Sequence, residues 1–185
     1  MATAMIGLHA ERTNDPRAVR WVMPAGSLPV GVVRQAPGAL GAMLDEGRLT
    51  AGAVEHAALW LWLRDGESWT AHGPAVQAAL REALGNPGGW RIERAPGAVL
   101  ALVTRDVLDG SVGDFIDSHG GAARVSREAD DTLVVELGGA CEHCPASGHT
   151  LRQRLMSELR RRCPDVVESD RDGRRLTLRL DQRPD

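Results

Sequence analysis

Apolar positions along the chain recur at two periods, and the switches between them predict the elements. In "RAVRWVMP", Val19, Trp21 and Met23 alternate with their neighbours, the pattern of a half-buried strand ending at Pro24. "APGALGAMLDEG" follows with Leu40, Met43 and Leu44 at helical spacing, and Gly47 closes it where a left-handed cap is wanted. "LTAGAVEHA" and "LWLWL" read as a pair of strands, with Trp60 and Trp62 on one face and Leu59, Leu61 and Leu63 on the other. After "DG" at 65 and 66, Trp69, Val76, Leu80 and Leu84 predict a helix over 68–84, against which Pro74 argues. The four tryptophans of this stretch are expected to pack in the core.

The segment "GNPGGWRIERAPG", residues 85–97, concentrates Gly and Pro and reads as a linker. Two small domains are therefore expected, at 1–88 and 98–185. Past the linker, Leu100, Val103, Val107, Val112 and Phe115 or Ile116 form one helical stripe that Gly120 and Gly121 end. "AARVSRE" and "TLVVEL", joined by the polar turn "ADD", predict an antiparallel strand pair. A helix resumes after Pro145, where Leu151, Leu155 and Leu159 stand four apart beside Met156, and stops before Pro164. "VVESD" and "RLTLRL" complete the chain as one or two edge strands about a turn at "RDG". The second half is thus ordered α-β-β-α-β, and the fold class is α+β with no internal repeat.

Composition narrows what such a chain does. With 43% apolar and 25% charged residues it has the profile of a folded globular protein. A net charge of -3 gives no general attraction to nucleic acid or to an anionic membrane, and neither is expected as a partner. All of the 22 basic residues are Arg, from which no function follows. The longest apolar runs, "AVLALV" and "AALWLWL", are too short to cross a bilayer, and the opening residues lack the pattern of a leader, so a cytoplasmic chain is expected. Three cysteines, an odd number, do not make a secreted disulfide framework; paired at short spacing in a reducing compartment, they point to metal or redox chemistry.

That pair is Cys141 and Cys144, in "LGGACEHCPASGHTL", between a strand end and the first turn of a helix, with Pro145 where a missing N–H costs nothing. Free backbone N–H groups and the positive end of a helix stabilise thiolate over thiol and make both sulfurs ready ligands. Gly138 and Gly139 would let the main chain approach a bulky inorganic group. A redox disulfide, half of a zinc site and half of an iron–sulfur site all remain open. Zinc and a [4Fe–4S] cluster each want four ligands. Other candidates are His143, His149, His119 and Cys163. Cys163 shares the Leu151 stripe at the far end of the helix, ~28 Å along the axis from the loop, and reads as a buried hydrophobe. His143 reads as a solvent-facing loop residue. If one protomer offers two good ligands, a symmetric pair of chains offers four. A thioredoxin-like site would need a βαβ arrangement, whereas two strands joined by a short turn precede these cysteines. No G-x-S-x-G and no phosphate loop is present to support a hydrolase or nucleotide-binding reading, and the chain is not expected to be an enzyme.

The run "HGGAARVSREADDTLVVELGGACEHCPASGHTLRQRL" resembles the C-terminal iron–sulfur domain of NifU, the Nfu domain, whose pattern is a helix, H-G-G, two strands, then G-x-C-x-x-C-P-x-S and a helix. The resemblance covers about residues 100–168. "ERTNDPRAVRWVMP" and "SWTAHGPAVQAAL" are similar, more loosely, to the opening strand and closing helix of the domain that precedes it in two-domain Nfu proteins. The resemblance implies a scaffold or carrier in which Cys141 and Cys144 of each protomer bind a [4Fe–4S] cluster shared between two subunits of a homodimer. It further implies cluster transfer to apo-proteins and supply by upstream assembly machinery. Ala122 departs from the family, which usually has Asp after H-G-G, and "SDRDGRRLTLRLDQ" extends beyond the family's usual end. A thiol–disulfide oxidoreductase and a zinc-stabilised interaction module are the competing readings.

Overall fold

The computed structural model of the protein describes residues 7–129, 132–139, 145–172 and 175–180. The chain divides into two compact units, Met1–Ala95 and Pro96–Asp185. Each combines helices with an antiparallel sheet, so the fold class is α+β.

In the first unit the alternating segments become strands β1 (His9–Arg12), β2 (Ala18–Val22), β3 (Gly31–Gln35), β4 (Leu49–Glu55) and β5 (Ala58–Leu63). A sixth, β6 (Arg91–Glu93), lies within the segment expected to be a linker. The sheet order is β1-β2-β5-β4-β3-β6. Helices α1 (Gly38–Asp45) and α2 (Trp69–Leu84) supply Leu40, Val76 and Leu80 to one core with Val19, Trp21, Leu59, Leu61 and Leu63. Ser68 caps α2, its hydroxyl oxygen accepting from the Thr70 N–H at 3.2 Å. The helix continues through Pro74 because Val76, Ala79, Leu80 and Ala83 are buried beyond it, and that burial outweighs the lost backbone bond. The linker expectation fails at β6 for a local reason. Ile92 pairs with Val33, and the Trp90 indole, packed on the core, donates to the Ala83 carbonyl at 3.0 Å, so a short strand is anchored inside a Gly/Pro-rich stretch.

The tryptophans divide between the two faces of this sheet. Trp21 enters the core and meets Trp69 edge-on at 6.1 Å. Trp60 and Trp62 stack on the opposite face, 5.7 Å apart. There the sheet register aligns Glu11, Arg20 and Trp60 across three strands. Glu55 is fully buried beside them; it accepts from Arg20 Nε at 2.7 Å and from Trp60 Nε1 at 2.9 Å, and Arg20 also bonds Glu11. A charge at this depth persists only because its partners enclose it.

In the second unit the single helical stripe proves to be two helices, α3 (Pro96–Asp109) and α4 (Ser111–Ser118). They part at Gly110, and a Cβ on Gly113 would lie 1.8 Å from the Leu108 carbonyl oxygen, so only glycine lets the start of α4 fold against the end of α3. Val112 and Ile116 are nonetheless buried, as the stripe predicts, while Phe115 is half-buried. Strands β7 (Gly121–Ala129) and β8 (Thr132–Gly139) pair antiparallel, and α5 (Pro145–Arg162) buries Leu151, Leu155, Met156 and Leu159. Strands β9 (Val166–Asp172) and β10 (Arg175–Leu180) form a final hairpin.

The sheet order here is β7-β8-β10-β9. The last strand is therefore interior, bonded to β8 on one side and β9 on the other, so of the two segments expected at the edge only β9 lies there. Leu176 and Leu178, fully buried and paired with Val135 and Leu133, explain why β10 is drawn inward. The observed order is α-α-β-β-α-β-β.

Candidate functional site

Cys141, His143 and Cys144 lie outside the described residues, as does the side chain of His149. What the structure does place is the frame around them. β8 ends at Gly139 and the 18-residue helix α5 begins at Pro145, so residues 140–144 connect a strand end to a helix N-terminus. That junction is where unpaired backbone N–H groups and the helix dipole favour negative charge.

Gly139 has φ +69°, and a Cβ there would meet the Gly120 carbonyl oxygen at 2.5 Å. Gly121 and Gly139 are cross-strand partners. The two glycine pairs of the sequence thus face each other, one entering β7 and one leaving β8. Glycine at 139 serves this backbone contact, a role distinct from the close approach to an inorganic group that the sequence suggests.

His119, at the C-terminal end of α4, is exposed and tightly held. Its Nδ1 lies 2.9 Å from the Phe115 carbonyl oxygen and 3.0 Å from Ser118 Oγ, and its ring sits 4.4 Å from that of Phe115. Arg154, from α5, places its guanidinium carbon 4.2 Å from the centre of the same Phe115 ring. This chain of contacts ties α4 to the helix that follows the cysteines. Sequence reasoning missed it, since nothing in the spacing relates Phe115 to Arg154; only the pattern aromatic-x-x-x-His inside one helical turn hinted at the first half of it.

Other sites predicted from sequence fall where packing puts them. Cys163 is buried, 6% exposed, at the end of the Leu151 stripe. Of the three arginines that end α5, Arg162 is buried and bonds Asp106 of α3 at 2.8 Å, while Arg161 bonds Glu158 at 2.7 Å. Ala122 is exposed at the start of β7. Among the described residues no group of three or more His, Cys, Asp and Glu side chains could hold a metal ion. Nor is any helix among them long and apolar enough to cross a membrane.

Comparison with known protein families finds a likeness over this frame. The family model of the NifU-like domain matches residues 105–169, which run from α3 through the cysteine segment into β9. These residues are similar to a NifU-like domain. A stretch of 90 residues is 30% identical to the Fe/S biogenesis protein NfuA of Teredinibacter turnerae, and covers 43% of this chain and 46% of that protein. The chain thus spans about half the length of the curated relative it matches. No solved structure matches. The NifU-like match stops inside β9, so β10, although interior to the sheet, belongs to the part of the chain beyond it.

Proposed function

We propose that the NifU-like domain binds an iron–sulfur cluster through Cys141 and Cys144 and serves as a scaffold or carrier that passes it to apo-proteins. The observation that carries the reading is the position of the cysteine pair: inside the matched residues, on a connection from a glycine-locked strand end to the N-terminus of a long helix. Such a helix end presents roughly half a positive charge. Four thiolates around a cluster core make an anionic unit, which that charge and free N–H donors stabilise.

Two thiolates complete only half of a [4Fe–4S] coordination set, so the cluster is held between two copies of the chain in a homodimer. A cluster at such a seam is open to an incoming thiolate, which suits delivery. Upstream assembly machinery supplies the cluster and apo iron–sulfur proteins receive it. We place this activity in the cytoplasm, and assign the first unit to recognition of recipients. Catalysis is not part of the role.

Anaerobic reconstitution of the reduced chain with iron and sulfide tests the reading. The expected product is a brown dimer holding about four irons. Cys141→Ser and Cys144→Ser are each expected to abolish iron uptake, and Cys163→Ser to retain it, since that thiol is buried in the apolar stripe. Retained iron in either of the first two variants refutes the ligand assignment. A Cys141–Cys144 disulfide that cycles readily without iron uptake would point to an oxidoreductase, and zinc retained under reducing conditions to a structural module.

A further inference from the structure

We propose that Arg154, held over the ring of Phe115, is a docking contact of the second unit that takes a carboxylate from an acidic segment of a partner protein. The inference goes beyond the iron–sulfur reading and does not depend on it.

The second unit contains the chain's one Phe and neither Tyr nor Trp. Its core is built from aliphatic side chains, among them Leu100, Val103, Ile116, Leu133 and Leu155. Phe115, the one benzene ring available to that core, stays outside it, half-buried on α4 with the exposed residues Ser118, His119 and Arg154 about it. A ring of this size is ordinarily drawn inward. At a surface, aromatic rings together with arginines are the side chains that dominate protein–protein contacts.

The ring is a fixed platform. His119 tilts against it at 45°, with 4.4 Å between ring centres, and is itself anchored where Nδ1 meets the Phe115 carbonyl oxygen at 2.9 Å. The Arg154 guanidinium carbon lies over the ring, 4.2 Å from its centre. That contact orders a long side chain before any partner arrives, which reduces the entropy lost on binding. Among the described residues Arg154 has no carboxylate or carbonyl partner for its five N–H donors.

Its neighbours on α5 differ in this respect. Arg152, Arg161 and Arg162 each pair with a carboxylate, that of Glu168, Glu158 and Asp106 in turn. The acids beside Phe115 in sequence, Asp114 and Asp117, line a cavity with Leu108 and Ala123 and make no pair with Arg154. Packing of α5 on α4 would be met by an apolar side chain at position 154. A guanidinium there adds a planar fork whose donors match the two oxygens of a carboxylate. An acidic segment whose Asp or Glu enters that fork, with the rest of the segment resting on Phe115, is its complement in charge and in hydrogen bonding.

Because the chain has one Phe, labelling with 4-fluorophenylalanine gives a single 19F line that reports on this patch alone. A capped hexaglutamate peptide added to the full, reduced chain is expected to move that line saturably, a readout that requires no variant. Hexaglutamine and inorganic phosphate, at matched concentration and ionic strength, are expected to leave it in place. Arg154→Gln is expected to weaken binding at least about threefold. Arg154→Lys, which keeps the charge and loses the fork, is expected to bind more weakly than the wild type. Arg160→Gln, which removes another exposed arginine of α5, is expected to bind as the wild type does. An unmoved line, a shift that hexaglutamine or phosphate equals, or one retained in Arg154→Gln or lost in Arg160→Gln overturns the proposal, as does full binding by Arg154→Lys. So does a line that moves on dilution without peptide, which would give the patch to a second copy of the chain. Each of these outcomes leaves the cysteine reading standing.

Discussion

Asp15 and Glu11 are two carboxylates of the first unit that their partners hold below the usual range. Burial would raise the Glu11 carboxyl, but the charge and hydrogen bond of Arg20, helped by His9, bring it below the usual range. Burial acts likewise on Asp15, and is overcome by the Arg17 backbone N–H and guanidinium and by the Trp62 indole, which donates at 3.1 Å. A carboxylate depressed in the folded state contributes stability that is complete above its unfolded pKa, about 4, and is lost as pH falls through its folded value. Resistance of this unit to urea is therefore expected to be level near neutrality and to drop below about pH 4, with tryptophan emission as the readout. A flat profile down to about pH 2.5 would contradict the assignment. Residue-scale detail of this kind was only half legible in the sequence. The alternation of Val19, Trp21 and Met23 marked the core face correctly, yet nothing in it shows that Arg20 between them is buried. Its burial depends on Glu55, 35 positions away, and no local pattern announces that pair.

Individual elements were more legible, because each is written in a short periodic stretch. The α5 stripe, the β7–β8 pair and the β4–β5 pair all lie where their patterns place them. Two features escaped. The α3–α4 break is invisible to periodicity because both helices continue burying the same stripe, and the sign of it, a glycine pressed on the Leu108 carbonyl, is tertiary. The interior position of β10 escaped because strand order is a matter of pairing, and pairing partners lie far apart in sequence. The second has a testable result. Ending the chain after Asp172 removes β10 and its two fully buried leucines, about 1.5–3 kcal/mol each by burial alone, and strips β8 of one neighbour. The truncated chain is expected to lose the near-native circular dichroism of the second unit and, with it, iron uptake. Normal uptake would show that β10 is dispensable to the site.

At the scale of the whole molecule, two units with separate cores and separate sheets divide the work proposed for them. A fragment of residues 96–185 is expected to take up iron and sulfide as the full chain does, whereas residues 1–95 should take up none. Failure of the 96–185 fragment, if it is folded, would place part of the cluster site in the first unit. Gly and Pro density made 85–97 look like free chain, although Trp90 and Ile92 bind its middle to the first sheet. The cysteine pair is legible as a motif, and the frame around it is not. Adjacent glycines could be read as room for a ligand, and only the register shows that Gly139 makes room for Gly120. The distribution of aromatic residues has one practical outcome. All five indoles belong to the first unit, at Trp21, Trp60, Trp62, Trp69 and Trp90, and an iron–sulfur chromophore would belong to the second. Light absorbed at one end of the polypeptide can then be quenched at the other, so the dimming that accompanies loading becomes an intrinsic, label-free ruler of the span between them.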